Sequence, residues 1–504
     1  MKTFLVGLAL TLPAAAAMAA AAPSQNPRES RGMAYYHFLS GALSADEGNL
    51  DRALTELDEA VRLDQAAADI RVELADVYLR AGDTEKAVAN AREAVRRGAE
   101  DPESHRSLAE ALTAGASRRE MDPDLLAEAI QEYVEVVRLK GADAEVLSVL
   151  GRLQMQADRP DEAIGTFEKL LETGFDAAQA HLLLGRALLR AGRGPEAADH
   201  YAKVLERSPR HAEALSNLAL LQEEAQQWDE AAGTYAVLEQ IRPTEASIRF
   251  HHGLCLLRAG RAREALGPLR KATEMSPANL GASRALAMAL RQAAQPAEAL
   301  QRYRDLLATS PEDFFVLIEL AGLRAEREER REAADLFDRA LALAEKKADL
   351  APMRADTAAA LARIELMLGD PEAAIKAVDR AGQSPEPSAD LLLLRTRALL
   401  DAGRASDAGS VARDGRRRFA SDERFVWLEP EIALVSGDSK ETEQWIGRAL
   451  AAPSARPSIG PDGWTMRSRL FAAPSPSIPT PTRFSTFSAT FSRTRAGNST
   501  KRGD

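Results

Sequence analysis

Small and apolar residues return along this chain at a fixed interval. Alanines stand at 163, 197, 231, 265, 299 and 333, each 34 residues after the last. Upstream, Ala53 and Ala87 keep the same spacing. Twelve residues before each of these alanines lies another small residue: Gly41, Ala75, Gly151, Gly185, Ala219, Gly253, Ala287 and Ala321. Pro209, Pro243, Pro277 and Pro311 repeat in the same phase. Two helices of about a dozen residues, joined by two short turns, use up such a period. The small residues then mark where paired helices cross, since a larger side chain would hold the backbones apart. Each proline ends a second helix, because it lacks an amide donor and clashes with the preceding turn. Gly82-Asp83, Gly192-Arg193 and Gly369-Asp370 fall between paired helices as stop signals.

The phase divides the chain into segments 34–67, 68–101, 102–143, 144–177, 178–211, 212–245, 246–279, 280–313, 314–347, 355–388, 389–422 and 423–452. The third carries eight extra residues, expected at its inter-helix turn near 117–124. Residues 348–354 are expected to be a linker. In the last two segments Thr396 and Pro430 replace the small residue, so 355–452 is read as degenerate repeats.

These positions resemble the tetratricopeptide repeat. The segment 178–211 carries His181, Leu184, Gly185, Ala197, Tyr201, Val204 and Pro209 at the family's preferred places. The segment 212–245 carries Leu215, Leu218, Ala219, Ala231, Tyr235, Leu238 and Pro243, and 314–347 carries Leu317, Leu320, Ala321, Ala333, Phe337 and Ala340. The resemblance implies an all-α fold: an α-α superhelix, or solenoid, of about 10–12 helix-turn-helix repeats. It also implies that the first helix of each pair lines a concave surface.

Composition agrees with helix: 45% of residues are apolar, only 5% aromatic, and Ala, Leu, Arg and Glu dominate. The two ends differ from the body. Residues 1–22 read as a signal peptide, with Lys2, an apolar Phe4–Leu12 and small-residue cleavage sites at Ala17–Ala22. An uncleaved anchor is the alternative. Residues 23–33 are read as a linker. Residues 453–504, rich in Pro, Ser, Thr and Arg, are read as a disordered tail. That tail holds eight basic and two acidic residues, so the body is more acidic than the net −11 of the whole. An acidic body is a poor phosphate binder, and nucleic acid is not expected as a partner. No membrane span is expected once the leader is removed.

Candidate chemistry is sparse. His37, His105 and His181 fall at the fourth position of their segments, where the family packs a bulky ring. His251-His252 lies near the single cysteine, Cys255, a spacing compatible with zinc binding or nucleophilic catalysis. Leu254, Leu256 and Leu257 around that cysteine favour a buried, inert thiol. No phosphate-binding loop, zinc-protease motif or nucleophile elbow is present in the sequence. No cofactor, no metal and no catalytic residue is therefore expected.

By the family's geometry the inward-facing residues of the first helices include Arg152, Arg186, Arg190, Arg258, Arg284 and Arg291. Guanidinium groups fork onto carboxylates, so these arginines are candidates for gripping an acidic peptide. They are equally readable as ordinary solvated helix residues. The family's carboxylate-clamp pairs are absent, with Ser148/Arg152, Leu182/Arg186 and Ser216/Leu220 in their places. The expected function is a non-catalytic scaffold or adaptor that binds a protein or peptide, located in the periplasm or secreted. A secretion, polysaccharide-export or pilus assembly complex would be the setting. The alternatives are an envelope enzyme or enzyme subunit acting on cell-wall glycan, and a cytoplasmic scaffold. Oligomeric state is not legible.

Overall fold

The computed structural model describes residues 27–118, 122–381, 388–422 and 424–437, with isolated positions 440 and 444. The expected signal peptide, the tail and the second helix of the last segment lie outside the described residues. Among the described residues there are 23 α-helices, α1 to α23, and no strand. The chain divides into two compact units, one up to Ile248 and one from Arg249.

The first unit holds six hairpins. They are α1 (Pro27–Asp46) with α2 (Leu50–Leu63), α3 (Ala68–Ala81) with α4 (Thr84–Arg97), and α5 (Pro102–Arg118) with α6 (Pro123–Lys140). Next come α7 (Ala144–Gln156) with α8 (Pro160–Glu172), α9 (Ala177–Arg190) with α10 (Gly194–Arg207), and α11 (Ala212–Glu224) with α12 (Trp228–Ile241). The division falls within α13 (Ala246–Arg258). The second unit continues with α14 (Ala262–Met275), α15 (Leu280–Gln292), α16 (Pro296–Thr309), α17 (Phe314–Glu326) and α18 (Arg330–Lys346). It ends with α19 (Arg354–Leu368), α20 (Pro371–Arg380), α21 (Ala389–Asp401), α22 (Ala405–Arg418) and α23 (Arg424–Ser436).

The phase-setting residues do what their chemistry demands. Ala53, Ala87, Ala163, Ala197, Ala231, Ala265, Ala299 and Ala333 are all fully buried. A Cβ on Gly185 would stand 2.9 Å from the Tyr201 ring, and one on Gly41 2.6 Å from Leu57 Cγ. A Cβ on Gly151 would fall inside the Phe167 ring's contact shell. The helix pairs therefore cross closely there, with a large side chain of the second helix lying on the glycine. α10, α12, α14 and α16 stop two residues before Pro209, Pro243, Pro277 and Pro311. Many helix starts are capped by short acceptors, including Asn49, Asp83, Asp143, Asp176, Asn279 and Asp313. Each such cap contributes about 1 kcal/mol by satisfying an otherwise unpaired amide.

Three boundaries differ from the sequence expectation. The extra residues of the third segment form no long turn. They lengthen α5 to 17 residues and α6 to 18, where the neighbouring helices have 13 or 14. Strong helix formers flank the insertion, and Asp122 with Pro123 at the first turn starts the second helix late. The expected linker 348–354 is a 3-10 turn over Ala348–Met353, anchored by buried Leu350 and Met353, and Arg354 already begins α19. The expected linker 23–33 is helical from Pro27, because Ala34 and Phe38 continue an apolar face that packs near Ala60 and Ile70.

Within each unit several neighbouring first helices touch: α1 with α3, α3 with α5, α15 with α17, α19 with α21, and α21 with α23. Among second helices, α18 and α20 alone make comparable contact. In a two-layered stack the layer whose members crowd together is the inner one, so the first helices line the inner side of each unit.

Candidate functional site

The inner face is built from positions that recur in phase. Arg152, Arg186, Arg363 and Arg397 all occupy the ninth place of their segments, directly after the crossing position. Helical spacing repeats that place on the same side of every first helix.

Most of the six candidate arginines are committed within the chain. Arg186 on α9 forks onto Glu213 on α11 through two hydrogen bonds. The bond from Arg186 holds the Glu213 carboxyl below its usual range. Tyr201, fully buried nearby, has its hydroxyl pushed up to about 12 by burial, with Glu213 adding to the shift. Arg190 donates to Asp158 at 2.9 Å, reaching back to the turn between α7 and α8. Arg284 on α15 donates to Asp313, the N-cap of α17, at 2.6 Å, and lies 5.8 Å from the centre of the Phe315 ring. It borders a cleft of about 660 Å³ that also meets Ser310, Phe314, Lys347 and Leu350. Arg291 bridges two carboxylates of α17, Glu319 at 2.6 Å and Glu326. Arg258 is half-buried, and burial pulls its guanidinium below the usual value. Arg152 differs: it is exposed and donates only to the Ser148 carbonyl of its own helix, at 3.1 Å.

The pattern is a rung between consecutive repeats, in which arginine on one first helix meets a carboxylate of the repeat after or before it. Three further arginines in the second unit make the same contact and were not singled out from sequence. Arg363 on α19 and Arg424 on α23 both meet Asp390 on α21, at 3.3 and 2.8 Å. Arg397 on α21 meets Glu431 on α23 at 2.6 Å. The 34-residue phase was the available signal, because Arg363 and Arg397 share the place of Arg186. These pairs are partly exposed, so each adds up to about 1 kcal/mol and chiefly fixes register between neighbours. Between the rungs of the first unit Leu189 and Leu220 are exposed at 40% and 48%. The face thus alternates engaged charge with open apolar surface.

The fourth-position histidines do more than pack. His37 meets Glu56 at 2.7 Å, and His105 meets Glu132 at 2.5 Å and the Ala99 carbonyl at 2.9 Å. His181 and His200 meet through their Nδ1 atoms at 3.0 Å. The side-chain contacts tie each first helix to its second, and the Ala99 bond ties His105 to the turn before α5. Cys255 is fully buried. Among the described residues no group of three or more His, Cys, Asp or Glu is arranged to hold a metal ion, and no helix is long and apolar enough to cross a membrane.

No curated protein matches the chain in sequence. Among solved structures, the chain is similar to YrrB, described as a TPR protein with an unusual peptide-binding site. That similarity is at 18% identity and TM-score 0.33, covering 37% of this chain and 92% of that one. It is similar to Naa15/Naa10 bound to HypK-THB at 15% identity and TM-score 0.42, covering 83% and 75%. It is similar to MamA from Desulfovibrio magneticus RS-1 at 15% identity and TM-score 0.30, covering 34% and 96%. The family model described as Tetratricopeptide repeat matches residues 41–102, 72–144, 148–209 and 182–246. Those matches run in phase with the helix pairs of the first unit, and residues 41–246 are built of tetratricopeptide repeats.

Proposed function

We propose that this protein is a non-catalytic scaffold of the bacterial cell envelope that holds a segment of a partner protein against its first-helix face. The tetratricopeptide repeats support a protein-interaction scaffold. The observation that carries the reading furthest is the inner face of the first unit. There Leu189, Leu220 and Arg152 stand open between rungs that are already satisfied. Apolar surface that the chain leaves uncovered, framed by rigid polar groups, is what a docking segment needs. The envelope setting rests on the leader-like sequence of residues 1–22, with a secretion, polysaccharide-export or pilus assembly complex as the context.

The test is reciprocal capture from an envelope extract. The tagged protein should retain one defined partner, and the tagged partner should retain this chain. A clean monomer in both directions would end the proposal. Arg152→Glu removes a cation that stitches no repeats together, so the stack should survive it. Capture should fall about fivefold, the effect of one exposed charge. Unchanged capture would take Arg152 out of the binding face. Mass spectrometry of the mature chain should find its N-terminus near Ala20–Pro23, and an intact Met1 would remove the export step.

A further inference from the structure

The inner face changes sign within the first unit. The ninth place, which holds Arg152 on α7 and Arg186 on α9, holds Asp76 on α3 and Glu110 on α5. Around these two stand Asp46 at the end of α1, Glu73 on α3, Glu103 on α5 and Glu145 on α7. They act on one another: Glu73 feels Asp76 and Asp46, while Glu110 feels Asp76, Glu103 and Glu145. A single run of negative potential therefore crosses four successive first helices.

Cations do not balance it. Arg80 sits 3.9 Å from Asp76 but gives its hydrogen bond to the Ala45 carbonyl. Arg106 is shared, at 3.0 Å from Glu103 and 3.7 Å from Glu110. Lys140 approaches Glu103 at 3.5 Å. Among the described residues Asp46, Glu73 and Glu145 have no ion pair. Burial and then the neighbouring carboxylates raise Glu73, and burial leads the rise of Glu110, against Arg106 and with Asp76. The chain holds these charges together at a cost that an incoming cation would relieve.

Beside the run lies an uncovered apolar helix face. Tyr35, Leu39 and Leu43 on α1 are exposed at 61%, 42% and 61%. They are spaced four residues apart, so they form one stripe about 12 Å long. Asp46, one turn further, carries the stripe into the acidic run. Among the described residues no repeat precedes α1, and terminal repeats usually turn a polar surface outward. Here the surface is apolar.

We propose that the α1 stripe and the carboxylates of α3, α5 and α7 form a docking face for a cationic amphipathic helix of a partner protein. Its apolar residues four apart would cover Tyr35, Leu39 and Leu43, and its Lys or Arg side chains would meet Glu73, Asp76 and Glu110. This rests on the scaffold reading and reverses the sign of partner that the arginines suggested. Two opposed copies of this chain fit less well, because each would bring its own carboxylates to the other's.

The test uses the full chain and two synthetic helical peptides in fluorescence anisotropy. Both carry leucines four apart on one face, and the remaining positions are lysine in one and glutamate in the other. The lysine peptide should bind and the glutamate peptide should not, with affinity falling as salt is raised. The double variant Glu73→Lys with Glu110→Lys should weaken the lysine peptide about tenfold or more. Glu172→Lys with Glu206→Lys, exposed on the second helices α8 and α10, should leave it unchanged. Leu43→Asp should also weaken it. Unchanged thermal melts of these surface variants would confirm that folding is not the cause. Equal binding by the charge-reversed variant, or preference for the glutamate peptide, overturns the proposal while leaving the scaffold reading intact. A dimer of the chain that Leu43→Asp dissolves would make a second copy the occupant and also overturn it. Partner capture that survives both Glu73→Lys and Leu43→Asp would place the partner elsewhere on the chain.

Discussion

A single pair of imidazoles illustrates how local pairing becomes pH dependence. His181 and His200 share a contact between Nδ1 atoms, which requires at least one ring to be neutral. Burial lowers both, and Lys203 adds to the effect. His105 is the opposite case. Burial opposes its charge, but its bonds to the Ala99 carbonyl and Glu132 win and raise it. Below about pH 6.5 the unfolded chain protonates the first pair before the folded chain does, so acidification through the lowered values costs stability. For His105 the folded state binds its proton more tightly. Its contribution is complete below the unfolded value and is lost as pH rises through the raised one. In an NMR titration His105 should have its midpoint above that of free histidine, and His181 and His200 below. His200→Gln should flatten the acid limb of the stability curve, and an unaltered limb would remove the pair from the account.

At the scale of elements, the turn between paired helices carries one conformational requirement. Outside the third segment, where α5 runs straight through it, the fifteenth place is left-handed. Glycine fills it at Gly48, Gly82, Gly192, Gly260, Gly369, Gly403 and Gly437. Asp158, Gln226, Ala294 and Glu328 take the same conformation with φ of 57°, 58°, 60° and 62°. A residue with a Cβ pays roughly 1–2 kcal/mol there. Ala294 is exposed, so Ala294→Gly relieves the strain without losing burial. Glycine's greater freedom in the unfolded chain takes back about 0.4–1 kcal/mol. A net gain of about 0.5–1 kcal/mol is expected, raising Tm by about 1–3 °C in a unit of this size. A fall in Tm would mean that Ala294 makes a contact worth more than the strain.

At the scale of the whole molecule, each hairpin packs chiefly on its neighbours, so stability is close to a sum of repeats and interfaces. Gly151→Ala drives a methyl group into Phe167 and should cost about 1–3 kcal/mol. Hydrogen exchange should quicken in α7 and α8, and less in the adjoining α6 and α9. Within the same unit, α1 and α2 should keep their protection. Uniform loss across the unit would show that it folds as one cooperative block. Only part of the inner face was legible beforehand. The family resemblance implied that Arg186, Arg190, Arg284 and Arg291 face inward from first helices, and the structure gives their carboxylate partners. Those partners lie 27 to 35 residues away, beyond any motif that a local reading inspects.

The sequence alone determined the hairpin, its period, its crossing points and its stops. Each of these depends on one residue's own backbone preference or size: alanine or glycine at the crossing, proline after the second helix, an acceptor at the cap. Tertiary structure decided everything that depends on a neighbour's identity. It turned an insertion into longer helices and committed four of the six candidate arginines to carboxylates of a neighbouring repeat. It also left Tyr35, Leu39 and Leu43 uncovered beside unbalanced carboxylates. The reason is that charge pairing and burial are properties of two surfaces brought together, and no single segment carries both.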